Sequence, residues 1–324
     1  MEFFTNTKYD FLKFRYHAIA LSLLLIGAGI ISLIVKGGPN YGIDFSGGVL
    51  VDVCINKPNV DIGEVRSALA NVIPPASIIQ AARTDTGEDA SCKGSEIVIR
   101  TPMIAGSDQS EDDIEGEVAK TSSEIEKQLA SSFGELQVIR KEMVGPRVGK
   151  ELRASALWSI VAALAGILVY VTFRFQFWYA FGAVVALVHD VLFTVGIFSL
   201  LNKEIDLTVV GALLTIVGFS LNDTIVIFDR VRENLGQRNL KDMSFYNLLN
   251  LTINQTLSRT ILTSLTVLIV VLCLFFFGGP VINEFSLALL LGVIAGVFST
   301  VFIASALVLW RYGNQQPTSS KRIR

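Results

Sequence analysis

The chain has 324 residues, 51% of them hydrophobic and only 17% charged, with a mean hydropathy of +0.54; this excludes an ordinary water-soluble domain. Net charge is only −2, but residues 37–150 hold 11 Lys/Arg against 18 Asp/Glu while the remainder holds 16 against 11. An acidic segment joined to a basic, apolar one argues against nucleic-acid binding.

The chain opens on a short tail with Lys8, Lys13 and Arg15, followed by an apolar run from about His17 to Val35. A cleaved signal peptide also begins with positive charge and an apolar core. Here the run ends in Lys36-Gly37-Gly38-Pro39-Asn40, a turn rather than a small-residue cleavage site. A retained first transmembrane helix is expected, within a unit of residues 1–36.

Residues 37–150 read as a folded domain. From Gly47 to Asn56, Val49, Val51, Val53 and Ile55 alternate with Asp52 and Cys54, the pattern of a half-buried strand. Asp61 to Val72 suits a helix, Ser77 to Arg83 and Ser95 to Thr101 suit strands, Ser110 to Ser131 a second helix and Glu135 to Met143 a last strand. That β-α-β-β-α-β order is the split βαβ arrangement of ferredoxin-like domains. Gly42-Ile43-Asp44-Phe45-Ser46-Gly47-Gly48 lacks the Gly-Lys-Ser/Thr ending of a phosphate-binding loop and reads as a tight turn.

Beyond Gly145-Pro146, five apolar helices are expected at about 153–173, 178–201, 206–230, 257–277 and 284–310, with a charged loop near 230–256. Membrane helices need about 20 apolar residues each. The short loops on one side gather Arg174, Arg230, Arg232, Arg238, Lys241 and Arg311, with the basic tail at 313–324, whereas the other side offers Lys203. The bias toward positive charge on the cytoplasmic side then puts both termini in the cytoplasm. The fold expected is an α-helical polytopic membrane protein of six transmembrane helices, in which an α+β ferredoxin-like extracytoplasmic domain lies between helices 1 and 2. The remaining five helices occupy 151–312.

Asp223 is the residue that most invites a function. It lies within the apolar run beginning at Ile205, flanked by Asn222 and Thr224. An acidic group at that depth costs about 2.5–3.5 kcal/mol and has to face protein or water. Gly211, Thr215, Gly218 and Asn222 recur beside it as one stripe, which predicts a packed helix seam. A second small-residue ridge runs through Ala288, Gly292, Gly296, Thr300 and Ala304. Arg259, at the start of the next expected helix, either reaches inward toward Asp223 or snorkels to the interface. His189-Asp190 forms a second polar pair, either a proton relay or two groups satisfied across helix contacts. A Gly218-Phe219-Ser220 serine-protease reading fails because Leu221 stands where a glycine is needed. Cys54 and Cys92 share the external domain, where a disulfide can persist, and sequence leaves their pairing open. Cys273 reads as an apolar filler. No catalytic residue, metal site or cofactor is indicated.

Tyr41–Gly48 (YGIDFSGG), Val144–Gly149 (VGPRVG), His189-Asp190, Gly218–Val226 (GFSLNDTIV), Phe228–Asn234 (FDRVREN) and Asn254–Thr260 (NQTLSRT) together resemble the motifs of the SecD/SecF family. The resemblance covers nearly the whole chain, in order. It implies a non-enzymatic half-transporter of resistance-nodulation-division architecture in the bacterial inner membrane. Such a chain pairs with a SecD-like subunit and uses the proton-motive force to draw unfolded secreted polypeptides out of the SecYEG channel. The resemblance places the proton pathway on Asp223 and Arg259, with Asn222 and Thr224 alongside. The competing class is a tethering protein whose buried polar groups only specify packing. Small-molecule efflux fits less well, since the chain carries half the helices of a full exporter. The cysteine pair and a polar insertion near 84–94 depart from the family pattern.

Overall fold

The structure is a computed structural model that describes residues 7–74, 77–81, 92, 94–102, 111–237, 240 and 242–313. The tail at 314–324, Arg238, Lys241 and most of the polar stretch near 84–94 lie outside the described residues.

The segment after the first helix makes a short turn of helix, α2 (Ile43–Ser46), before strand β1 (Gly48–Ile55). Gly47 and Gly48 join them with φ of 75° and 149°, values that favour glycine. A Cβ on Gly48 would also lie 2.3 Å from the Thr101 carbonyl oxygen. Helix α3 (Ile62–Leu69), strands β2 (Ile78–Ala81) and β3 (Ser95–Pro102), helix α4 (Glu111–Phe133) and strand β4 (Leu136–Val144) follow. The four strands form one sheet in the order β2-β3-β1-β4, with antiparallel pairing throughout. Val49, Val51, Val53 and Ile55 bury against Val65 and Leu69 of α3 and Ile125 and Leu129 of α4. A slip of one residue would turn that whole set to the other face, so the apolar pattern fixes the register.

The opposite face of β1 carries Leu50, Asp52 and Cys54, and the Cys54 sulfur is bonded to that of Cys92 with Cα atoms 5.5 Å apart. The bond closes a loop of 38 residues, which in a chain-entropy account stabilises the folded state by about 4 kcal/mol. Reduction, or Cys92→Ser, is expected to lower the denaturation midpoint of the sheet unit by a corresponding amount. Without reductant, alkylation of native protein should label only Cys273, the free cysteine. Labelling of Cys54 under those conditions would remove the bridge from the account.

Among the described residues, six helices are long and apolar enough to cross a membrane. They are α1 (Arg15–Val35, led in by a 3-10 turn at Phe11–Phe14), α5 (Pro146–Arg174), α6 (Phe177–Leu200), α7 (Leu207–Gly236), α8 (Phe245–Phe277) and a last one in three parts. That last helix runs as α9 (Gly279–Ser299), a π turn at Thr300–Ala304, and α10 (Ser305–Tyr312). Large apolar side chains such as Leu24, Trp158, Phe173 and Phe277 are exposed, as expected of surfaces that meet lipid. Helix α9 touches α6, α7 and α8 and so lies at the centre of the bundle.

The loop expected near 230–256 is far shorter, because α7 runs on to Gly236 and α8 begins at Phe245. The Ser244 hydroxyl caps α8 by accepting from the Asn247 N–H at 3.3 Å. Phe245, Leu248, Leu249 and Ile253 bury one face of its first turns. Several polar residues of this stretch hold neighbouring elements. Asn234 donates to Thr252 at 2.8 Å and to Gln255 at 2.9 Å, and Asn254 donates to the Tyr9 carbonyl at 2.8 Å.

The sheet unit is fastened to the bundle where α6 turns into α7. Gly42 N–H donates to Ile205 O at 3.0 Å, Ile205 N–H to Asn40 O at 2.7 Å, and Leu207 N–H to an Asp44 carboxyl oxygen at 3.0 Å. Arg100 of β3 meets Glu204 at 3.5 Å. Arg153 of α5 donates to Phe45 O at 2.6 Å and lies over the Tyr41 ring.

Glu204 is buried, and burial pushes its carboxyl above the ordinary glutamate value of 4.5, against the opposing pull of Arg100. The folded joint therefore holds this proton more tightly than the unfolded chain does. Its contribution is complete below the ordinary value and is lost as pH rises through the folded value. Thermal stability of native protein is expected to fall more steeply over that window than stability of Glu204→Gln. The variant keeps only the slope owed to other groups such as Asp52, whose burial also pushes its carboxyl up. Parallel curves would exclude Glu204 as a titrating part of the joint.

Candidate functional site

Two carboxylates lie inside the bundle, and their surroundings differ. Asp190 of α6 is fully buried, 0% exposed. One of its oxygens is 3.0 Å from His189 Nδ1; the other accepts from Ser220 Oγ of α7 at 2.7 Å and Ser299 Oγ of α9 at 2.9 Å. On the far side of the imidazole, His189 Nε2 hydrogen-bonds Ser22 of α1. Adjacent helical residues point about 100° apart and need not meet, yet these two do, while each is also held by other helices. Four transmembrane helices are pinned at this pair.

Asp223 of α7 is also buried, at 2% exposed. Its carboxyl accepts from two hydroxyls of α8, a long bond at 3.4 Å from Ser264 Oγ and one from Thr263. Arg259 acts on it electrostatically, though no ion pair within 4 Å joins them among the described residues. The helix ends explain how they come level. Asp223 is about 20 Å before the end of α7 and Arg259 about 21 Å after the start of α8, at 1.5 Å per residue. The sequence placed both nearer the inner surface because it ended α7 and began α8 in the wrong places. Arg259 and Asn222 are exposed on this side, whereas Thr224 is buried and shares a 2.9 Å hydrogen bond with Thr300.

The packed seam expected at Gly211, Thr215 and Gly218 is not formed within the chain. All three are exposed, and a Cβ at Gly211 or Gly218 would meet nothing within 4 Å. The periodicity was real, but α7 turns its other face inward. There Ile216 presses on Gly292, where a Cβ would come 2.2 Å from its side chain, and Ser220 on Gly296, where the distance would be 3.0 Å. The second expected ridge is thus the one that lets α7 and α9 approach.

Sequence reasoning missed Ser22, Ser264 and Ser299 as partners of the ionisable pair and of Asp223, and took Ser220 only as a failed nucleophile. A signal existed for Ser299 and Thr300, two consecutive hydroxyls in an apolar helix. The π turn that begins at Thr300 lets Ser299 reach α6 while Thr300 reaches α7. Such turns often occur at functional sites.

Comparison with known proteins bears on this arrangement. Residues 124–314 match the family described as "Protein export membrane protein SecD/SecF, C-terminal", and residues 31–53 match the SecD/SecF GG motif. A protein translocase subunit SecF from Desulfurispirillum indicum is 44% identical, over 93% of this chain and 91% of that one. The chain belongs to the SecD/SecF family. A SecF from Escherichia coli O157:H7 is 40% identical over 93% of this chain and 87% of its own. The crystal structure of a Thermus SecDF, a translocon-associated membrane protein, superposes with a TM-score of 0.78 at 34% identity. That match covers 94% of this chain and 39% of the SecDF chain. The SecD/SecF GG motif falls on the turn where Gly47 and Gly48 lead into β1. His189, Asp190, Asp223 and Arg259 all lie within the SecD/SecF C-terminal match.

Proposed function

We propose that this chain is an accessory subunit of the Sec protein-export machinery in the bacterial inner membrane, where it promotes translocation of secreted polypeptides with the proton-motive force. Its partners are a SecD-like subunit, the SecYEG channel, the unfolded secreted polypeptide and protons, within membrane lipid; nucleic acid is not among them. Both termini are cytoplasmic. The sheet with α3 and α4, whose strand order is that of a ferredoxin-like domain, is the extracytoplasmic part at 37–150.

The observation that carries this reading is the contrast between the carboxylates. Asp190 is held by His189 and two serines from other helices, whereas among the described residues Asp223 meets only hydroxyls of α8, Ser264 at 3.4 Å and Thr263, and feels the charge of Arg259 without an ion pair. A carboxyl group in a low-dielectric setting favours its neutral form, and a guanidinium close by favours the charged one. A change in their separation therefore takes up or gives out a proton. The small-residue stripe through Gly211, Thr215, Gly218 and Asn222, exposed within an apolar helix, supports a close-packed SecD-like neighbour there.

The test is export in vesicles containing the channel, its ATP-driven motor, this chain and a SecD-like subunit. Completion of translocation should accelerate severalfold when a proton gradient is imposed, and an ionophore should abolish the gain. A gain that survives the ionophore would leave tethering as the function.

A further inference from the structure

A lateral groove of about 740 Å³ opens between α1, α6 and α10, with no lining residue from α5 or α7. Its walls are aliphatic, formed by Ile19, Leu23, Ile26, Val188, Leu192 and Leu307, and its floor reaches Ser22 and His189. The polar groups of its mouth gather at one end, where α1 begins and α10 finishes: Arg15, Tyr16, Tyr246 and Trp310. The Arg15 guanidinium lies 4.4 Å from the Tyr16 ring centre and 5.7 Å from that of Tyr246. Its hydrogen bonds go to the Leu12 carbonyl at 2.9 Å, the Tyr16 hydroxyl at 3.1 Å and the Tyr246 hydroxyl. All three acceptors are neutral, so none cancels its charge. The nearby Asp10 carboxylate accepts from Lys13 N–H at 3.2 Å and Tyr246 OH at 2.6 Å. Trp310 is 81% exposed at the rim.

We infer that this groove binds an anionic phospholipid, with the headgroup at Arg15 and an acyl chain along the aliphatic walls as far as Ser22 and His189. A void of this size open to hydrocarbon fills, and water gains too few polar partners along such walls. A cation beside Tyr and Trp at one end, with an apolar channel below it, matches an amphiphile with one charged end. A neighbouring protein helix is 10–12 Å across and carries side chains all round, and the exposed small-residue stripe suited to such a helix is on α7. The occupant touches the Ser22–His189 hydrogen bond that ties α1 to the buried network, so lipid identity bears on how firmly α1 is held. The inference stands apart from the export reading.

The experiment uses the full chain with Trp158→Phe and Trp178→Phe, which leaves Trp310 as the fluorophore, in phosphatidylcholine vesicles. Brominated phosphatidylglycerol or brominated phosphatidylcholine is added at matched low mole fractions, and quenching is read. One arginine near the surface gives about a fivefold preference for the anionic lipid. Arg15→Gln should bring the two curves together, and Arg15→Lys should restore the separation, which also controls for misfolding. Superimposable curves in the chain with Arg15 would overturn the inference. So would a preference that survives Arg15→Gln. Loss of quenching by both lipids once a SecD-like subunit is present would assign the groove to a protein contact instead.

Discussion

Asp223→Asn is expected to leave assembly intact and remove the acceleration of export by a proton gradient. The amide keeps the size of the side chain and can still bond Ser264 across the α7–α8 contact, but it cannot pass between charged and neutral forms. ATP-driven export should continue at its basal rate, so the severalfold gain disappears while the floor remains. Arg259→Leu should fail at the same step, because the charge that biases Asp223 has gone. Arg259→Lys should recover part of the gain, since it keeps the charge but loses the planar fork. Asp190→Asn provides the contrast. That carboxylate accepts from two serines and meets His189, so its loss should lower thermal stability of the bundle. A fully gradient-responsive Asp223→Asn protein would end the proton role assigned to this residue.

The second large effect comes from introducing one side chain at two glycines. Gly292→Leu should prevent α7 and α9 from packing, because even a Cβ there lies 2.2 Å from atoms of Ile216. Overpacking of this kind costs about 1–3 kcal/mol, and more where backbones must part. Poor accumulation and a lowered melting temperature in detergent are the expected readouts. Gly218→Leu should behave in the opposite way. Its Cβ meets nothing within the chain, so the isolated subunit should melt normally while co-purification with a SecD-like partner falls. Equal stability losses for the two variants would mean that the α7 stripe is packed after all.

Much of this was legible in the residues, and the failures have physical causes. The period-two pattern of β1 is read directly because one face is apolar, and the helix after it because Val65 and Leu69 share a side. The start of α8 was hidden because Asn254, Gln255 and Thr256 look like loop residues when polarity is taken as contact with water. In the fold Asn254 bonds Tyr9 and Gln255 bonds Asn234 and Arg230, while Thr256 bonds back onto its own helix, which a hydropathy profile cannot distinguish. The small-residue stripe on α7 shows the complementary difficulty. Periodicity identifies a face, but not whether that face turns toward its own bundle or away from it. Asp223 itself was found because a carboxyl in an apolar run is costly wherever it points. The partners of Asp190 come from α7 and α9, far apart in sequence, and only the fold brings them together.

The fastening at the top of α7 has a mechanical consequence. Leu207 N–H, at the first turn, is held by Asp44, and Ile205 exchanges two backbone hydrogen bonds with the strand-like segment at Asn40–Gly42. That segment passes through one short helical turn and two glycines into β1, the strand paired on both sides at the centre of the sheet. From Leu207 to Asp223 α7 is an unbroken rod about 24 Å long. A slack loop would absorb an axial shift of such a rod; here three hydrogen bonds tie its start to the segment that leads into β1. An axial displacement at Asp223 would therefore reach the sheet at its middle strand, and a load on that strand would return along the same rod.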